Sequence, residues 1–147
     1  MKKEYVYTGQ LHRMQALLNS PKKLDRFIGA FCSLNVSLME DVLDDAVDCN
    51  HFSRYEFYSH FVGLTDQCHK NGDQFFRVHR SRCAEDVCME AAGETYTFSG
   101  NFTGNYISLH VFMERDKIKS FYECITVKSP IARQHGSRPL FLSNFPF

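Results

Sequence analysis

Three side chains in this sequence are suited to moving a proton, and we take Asp48, His60 and His110 as the candidate catalytic residues. Asp48 closes a dense acidic group with Asp44 and Asp45. A carboxylate whose pKa is raised by burial can act as a general base. His60 falls among apolar residues at helical spacing. Both also have a plain structural interpretation: an acidic elbow in water for Asp48, and a histidine bonded to the backbone for His60.

His110 lies in the alternating segment "NYISLHVFME", where Tyr106, Ser108 and Phe112 share its face of the predicted strand. A mixed polar and aromatic face is typical of a pocket wall, since pockets combine apolar walls with a few polar groups. The same composition equally fits a polar dimer surface on the outside of a sheet. The sequence leaves both alternatives open.

Aromatic side chains are abundant, with fourteen Phe and seven Tyr but no Trp. Rings in such number fit a curved sheet over helices or a ring-lined cavity for a small hydrophobic ligand. The same rings are also typical of an ordinary packed core. The candidate ligand-binding residues are Phe57, Tyr58, Tyr96, Tyr106, Phe112 and Tyr122.

The six cysteines raise the question of a metal site, chiefly through Cys83 and Cys88 in "CAEDVC". Cys68, His69 and Cys124 are the other available ligands, but no second Cys-X-X-Cys or His-X-X-X-His pair accompanies them. We therefore predict no metal and no cofactor. Oxidation that links Cys83 to Cys88 is an alternative use of these thiols.

Charge and hydropathy exclude two classes of partner. Seventeen basic residues balance seventeen acidic ones, so no strong field attracts nucleic acid. No stretch reaches the roughly 18 apolar residues that a membrane span requires. The N-terminus lacks the apolar region of a signal peptide, and we expect a cytoplasmic protein with reduced thiols. The sequons at Asn35 and Asn101 are then not glycan acceptors.

Helical patterns occupy the first half of the chain. One begins after Ser20-Pro21, a second short one is predicted to begin at a Ser37 cap, and a weak one is predicted over residues 11–18. A further helix begins at Ser53, with Glu56 completing a capping box, and ends at Asn71-Gly72.

The second half alternates in four strand-like segments. "RDK" predicts a tight turn before the last strand, and a slip of the apolar phase predicts a hairpin loop at residues 103–105. Gly100 is predicted to form a β-bulge. Strands joined by links this short pair antiparallel.

Helices followed by strands predict a single α+β domain over residues 1–147. Its core spans about residues 21–128, after an N-terminal extension of residues 1–20. The tail, residues 129–147, ends in apolar side chains that we expect to cover a groove or a partner subunit: Leu140, Phe141, Leu142, Phe145 and Phe147.

Three stretches carry a resemblance to a known group of proteins. "FIGAFCSLNVSLMEDVLDDAVD" is similar to its first two helices and following acidic segment, "YEFYSHF" to its third helix, and "RDKIKSFYEC" to its turn and final strand. Over about residues 21–128 the chain resembles the nuclear-transport-factor-2-like superfamily, which includes ketosteroid isomerases and polyketide-cyclase-like proteins.

The resemblance implies a cone: a curved antiparallel sheet wrapped around N-terminal helices, with a pocket at the mouth and a homodimer formed through the outer sheet face. In the isomerases an aspartate moves a proton beside a carbonyl that a tyrosine polarises. Asp48 falls near that general-base position after a one-residue gap, and Asn50 competes for it. Phe27 stands at the tyrosine's place without a hydroxyl. Steroid isomerisation is therefore not expected.

Three functions follow as hypotheses. The first is a noncatalytic module that binds a small hydrophobic ligand or a partner, as a homodimer. The second is a small acid–base enzyme (an isomerase, cyclase or dehydratase) that uses Asp48 with His60 or His110. The third is a purely structural dimerisation protein.

Overall fold

The computed structural model describes residues 12–43, 48–81, 93–124 and 137–142. Within these residues the chain is an α+β protein with four helices and an open, curved, mixed sheet of five strands. The helices are α1 (residues 12–18), α2 (Lys23–Ser33), α3 (Val36–Val42) and α4 (Arg54–Lys70). The strands are β1 (Asp48–Cys49), β2 (Phe76–Ser81), β3 (Gly93–Gly100), β4 (Tyr106–Glu114) and β5 (Lys117–Glu123).

The ends of the helices follow local chemistry. The capping box predicted for α4 is confirmed, because the Ser53 hydroxyl accepts from the Glu56 N–H while the Glu56 side chain accepts from the Ser53 N–H. Gly72, past the end of α4, has the positive φ of 98° that a left-handed helix cap requires. The cap predicted for α3 is wrong: Asn35, not Ser37, accepts from the first free N–H groups.

The sheet has the order β1-β5-β4-β3-β2, with β1 parallel to β5 and the other neighbours antiparallel. The predicted hairpin loop between β3 and β4 is confirmed, and Gly104 adopts a φ of 74° in it. Arg115 and Asp116 form the tight turn between β4 and β5, both with positive φ, 50° and 65°. A two-residue turn of this handedness matches the twist of the strands it joins.

The β-bulge predicted at Gly100 is wrong. Gly100 pairs in register with Phe76, and the irregularity of the sheet lies instead between Phe112 and Met113. Position 100 requires a glycine for a steric reason, because a Cβ atom there would overlap the carboxylate of Asp73. The glycine therefore permits a close approach and does not bend the strand.

The carboxylate of Asp73 holds the loop between β3 and β4. It is 1% exposed and accepts hydrogen bonds from the Phe102 N–H at 2.9 Å, the Thr103 N–H at 2.8 Å and the Thr103 hydroxyl at 2.7 Å. The side-chain oxygen of Asn101 accepts from the Gln74 N–H at 2.7 Å. The glycine-rich stretch at residues 98–105 is thus a structural loop tied to the end of α4.

One face of the sheet, which we call the helix-facing side, packs on α2 and α4 through phenylalanine rings. The Phe31 ring of α2 lies 4.5 Å from Phe98 of β3 and 5.8 Å from Phe76 of β2, while Phe27 lies 5.0 Å from Phe121 of β5. All five rings are buried. Because one helix contacts strands on both sides of the sheet's centre, the sheet curves around α2.

The described part of the tail joins this core. Pro139 forms a parallel bridge with Tyr106 at the start of β4, and the Leu140 N–H donates to the Tyr106 carbonyl oxygen. Leu142 is fully buried. The tail therefore covers its own chain at these residues, one of the two predicted alternatives, whereas Phe145 and Phe147 lie outside the described residues.

Candidate functional site

The face of the sheet turned away from the helices, which we call the outer face, is polar. Thr95, His110 and Tyr122 are direct cross-strand neighbours on it, and Thr97 and Ser108 form the next such pair. The hydroxyls of Thr97 and Ser108 share a hydrogen bond of 2.8 Å. Six polar residues of this face are only 0–7% exposed: Thr95, Thr97, Ser99, Ser108, His110 and Ser120.

The His110 imidazole is fixed within this face by two contacts. Its Nδ1 atom lies 2.6 Å from the Thr95 hydroxyl oxygen, and its ring centroid lies 4.8 Å from that of Phe112. Its Nε2 atom is buried and has no hydrogen-bond partner in the parts of the chain that the structure describes. Burial lowers the pKa of His110, so the ring is neutral near pH 7 and able to accept a proton.

A carboxylate and a phenol meet beside this histidine. The Tyr122 hydroxyl donates to Asp48 Oδ2 at 2.7 Å, and the His51 N–H donates to Asp48 Oδ1 at 3.0 Å. The hydrogen bond to Asp48 is the chief cause that raises the pKa of Tyr122. Tyr122 therefore keeps its proton and donates a hydrogen bond to Asp48, and this bond fixes both side chains on the outer face.

The predicted catalytic residues thus fall on two sides of the sheet. Asp48 and His110 both lie on the outer face. Tyr122 lies between them, since it pairs with His110 across the strands and donates a hydrogen bond to Asp48. His60 lies on α4, where its ring stacks on Phe52 at a centroid distance of 4.3 Å. An acid–base pair of Asp48 with His110 is compatible with this geometry, whereas the stacking contact of His60 is with Phe52.

The predicted ligand-binding residues divide in the same way. On the helix-facing side, Phe57 and Tyr96 are buried in the core and Tyr58 packs against it. The Tyr96 hydroxyl donates to Glu94, and burial raises the pKa of Tyr58 to about 12. The other three rings lie on the outer face: Tyr106, Phe112 and Tyr122.

A groove of about 710 Å³ lies between the start of α2 and the β4–β5 turn. This volume falls within the roughly 300–1,000 Å³ of typical ligand sites. Apolar side chains and an excess of basic ones line it, and we call it the basic groove. Its lining residues are Pro21, Lys22, Lys23, Leu24, Arg26, Met113, Arg115, Asp116 and Lys117.

None of the nine predicted site residues lines the basic groove. The only sequence signals for it were the pair Lys22-Lys23 with Arg26 one turn later, and the charged turn from Arg115 to Lys117. Taken separately, each of these two charged groups is typical of an ordinary solvent-exposed surface. Only the packing of α2 against the end of the β4–β5 hairpin brings the two groups to one groove.

The described residues carry no further sign of metal or thiol chemistry. No group of three or more His, Cys, Asp or Glu residues among them is arranged to hold a metal ion. Burial raises the pKa of Cys49 and of Cys68 to about 12, which suppresses the reactive thiolate. Cys83 and Cys88, the predicted redox pair, lie outside the described residues.

No helix in the described ranges is both long enough and apolar enough to cross a membrane. Comparison of the chain with protein-family models, with curated proteins and with solved structures found no match. The function is therefore inferred from the groove and the outer face themselves.

Proposed function

We propose that this chain is a noncatalytic module that binds a small molecule in the basic groove. The groove itself is the observation that carries the proposal, because it combines ligand-sized volume with apolar and charged walls. Leu24 and Met113 are partly buried and pack against the core cluster, so the apolar part of the groove is supported by the core.

A thermal-shift screen of small hydrophobic acids and ketones tests this function. A compound that binds only the folded chain raises its stability, by about 2.7 kcal/mol at a hundredfold excess over Kd. Leu24→Phe adds volume inside the groove and is expected to abolish the shift. Val62→Phe adds the same kind of ring on α4 at a residue that is 43% exposed and serves as the matched control.

The comparison of these two variants separates groove binding from binding elsewhere. Hits that stabilise wild type and Val62→Phe but not Leu24→Phe support the proposal. Hits that stabilise both variants equally place the ligand outside the groove, and a screen without hits contradicts the function.

Acid–base catalysis is the second candidate, favoured by the arrangement of His110, Tyr122 and Asp48 on the outer face. His110 would accept a proton at Nε2, and Asp48, held by the hydrogen bond that it accepts from the Tyr122 hydroxyl at 2.7 Å, would be the second acid–base group. A screen of ketones in D₂O, with hydrogen–deuterium exchange at the α-carbon followed by NMR, tests it. Exchange that is lost in both His110→Gln and Tyr122→Phe supports catalysis, and exchange at the buffer rate in wild type rejects it.

The nuclear-transport-factor-2-like cone remains part of the proposal. Its support is the curvature of the sheet around α2 and the position of the short β1 beside the last strand, β5. A homodimer in the cytoplasm goes with it, as the resemblance implies; its interface would have to lie beside the six outer-face residues that are already buried within one chain. Sedimentation velocity at micromolar concentration is expected to give twice the chain mass of 17.1 kDa, and a monomer would reject the dimer.

A further inference from the structure

We propose that the ligand of the basic groove is an amphipathic anion: a small molecule with an apolar body and a single carboxylate or phosphate group. The inference rests on the proposed ligand-binding function and narrows it to one chemical class. It follows from the charges that line the groove, from the way they are held, and from the apolar surface between them.

The charge of the groove departs sharply from that of the chain. The whole sequence is neutral, with seventeen basic and seventeen acidic residues, whereas five basic residues and one acidic residue line the groove. The basic residues come from two walls: three from the start of α2, and Arg115 and Lys117 from the hairpin. An anion between the two walls is attracted from both sides.

The α2 wall is organised by local hydrogen bonds. The Arg26 Nη1 donates to the Ser20 carbonyl oxygen at 2.8 Å, which fixes the guanidinium beside the groove. The Ser20 hydroxyl donates to Asp25 Oδ2 at 2.7 Å. Asp25 is thereby engaged by Ser20, and it is not among the residues that line the groove. The cationic wall is thus partly preorganised, which lowers the entropic cost of binding.

The hairpin wall is held by its turn. Arg115 and Asp116 adopt φ values of 50° and 65°, and Glu114 pairs with Lys117 across the strands. Because a two-residue turn of this kind closes the hairpin between paired strands, it fixes where Arg115 and Lys117 begin. Its single carboxylate, Asp116, is the one lining group that repels an anion.

Apolar side chains distinguish this groove from a simple polyanion site. Pro21, Leu24 and Met113 contribute to its lining, and the last two are anchored against the core. A hydrated phosphate chain gains nothing from such a surface, whereas a hydrocarbon body buried against it gains free energy in proportion to its area. The combination therefore selects one anionic group joined to an apolar body.

Isothermal titration of the full chain with octanoate, octyl phosphate and 1-octanol tests the inference. The two anions are expected to bind about tenfold more tightly than the alcohol, since hydrogen bonds to charged groups are the stronger kind. This difference is expected to shrink at high salt, which screens exposed charges. The relative affinities of octanoate and octyl phosphate identify which head group the site prefers.

Two single-charge variants of the turn are expected to change affinity in opposite directions. Arg115→Asn is expected to weaken octanoate binding about threefold, and Asp116→Asn to strengthen it by a similar factor. Asparagine tolerates positive φ, so both variants keep the turn. Arg77→Asn removes an exposed arginine from the edge strand β2 and is the matched control, with affinity unchanged.

The outcomes separate the inference from the function on which it rests. If octanol binds in the groove as tightly as the anions, the anion inference is wrong and small-molecule binding stands. If none of the three probes binds, the anion inference is wrong, and the thermal-shift screen decides whether the groove binds another small molecule. Tighter binding of an octathymidylate than of octanoate would show a polyanion site and also overturn the inference, as would equal effects of Arg115→Asn and Asp116→Asn.

Discussion

At the scale of single residues, Asp73 and Gly100 depend on each other. The Asp73 carboxylate reaches the loop donors only because Gly100 has no Cβ, and it then accepts three hydrogen bonds from Phe102 and Thr103. A buried carboxylate is stable only when such bonds replace its hydration. The pair therefore joins the end of α4 to the β3–β4 loop.

We predict that Gly100→Ala lowers the free energy of unfolding by about 2 kcal/mol, because the new methyl group forces the Asp73 carboxylate aside. Thr103→Val removes one of the three donors and is expected to cost about 1 kcal/mol. Urea denaturation measures both. An unchanged midpoint for Gly100→Ala would mean that the loop shifts without loss of these bonds.

A second prediction concerns pH and the histidines of the outer face. Burial lowers the pKa of both His79 and His110. A histidine whose folded pKa lies below its unfolded value of about 6.5 takes up its proton first in the unfolded chain. Its contribution to stability is complete above pH 6.5 and is lost as the pH falls from there through the folded pKa.

Denaturation between pH 7.5 and 5.5, above the range in which most carboxylates titrate, measures this loss. Stability is expected to fall towards the acid end, and the slope to decrease in His110→Gln and further in the double variant with His79→Gln. A slope that is the same in the double variant as in wild type would contradict the assignment to these two residues.

At the scale of elements, the short helix α3 depends on its first cap. Seven residues form few helical hydrogen bonds of their own, and the Asn35 side-chain oxygen accepts from the Ser37 N–H at 2.9 Å and the Leu38 N–H at 3.4 Å. The capped start directs Met39, which is fully buried, into the core.

We predict that Asn35→Ala destabilises the protein by about 1 kcal/mol, because it leaves helix N–H groups without an acceptor. Ser37→Ala lies two residues away and is expected to change stability by less than about 0.5 kcal/mol. Thermal unfolding of both variants provides the measurement. A larger loss of stability in Ser37→Ala than in Asn35→Ala would mean that Ser37 caps the helix, as the sequence alone suggested.

At the scale of the whole molecule, distant parts of the chain close one core. Phe27 and Phe31 of α2 contact strands that follow much later in the sequence, and the tail adds Leu142, which has no exposed surface. Contacts of this kind are lost together when the protein unfolds, so each contributes to global stability.

We predict that Leu142→Ala costs about 2–4 kcal/mol, as expected for a buried leucine that leaves a cavity. Leu140→Ala, at a neighbouring residue that is only partly buried, is the control and is expected to cost less. Guanidinium denaturation compares the two. Equal small losses would mean that the tail is not part of the cooperative core.

Much of the fold could be predicted from periodicity and caps. The helix start at Ser53, its end at Gly72 and the two loops of the sheet were read from local residue types and are confirmed. The bulge at Gly100 and the cap at Ser37 were not. The cap is the nearby Asn35, a residue type that local preference favours as much as Ser, whereas the reason for Gly100 lies in a contact that local patterns do not show. For Gly100 that contact is with Asp73, which lies 27 positions earlier in the sequence.

The candidate site was less predictable than the fold. Alternation placed His110 and Phe112 on one face of a strand, but it did not distinguish the helix-facing side from the outer face. Strand order decided that His110 lies beside Tyr122, and Tyr122 beside Asp48. His60 was placed correctly on a helix, and packing then directed it to Phe52.

By itself the sequence determined the α+β class of this protein and the positions of its main helices and strands, because these depend on local propensity and on the period of apolar residues. Only the tertiary structure decided which charged residues share a groove. Lys22 and Arg115 are far apart in the chain and carry no common pattern, and they line one groove because α2 packs against the end of the β4–β5 hairpin. Electrostatic attraction depends on distance in space, and that distance is set by the fold.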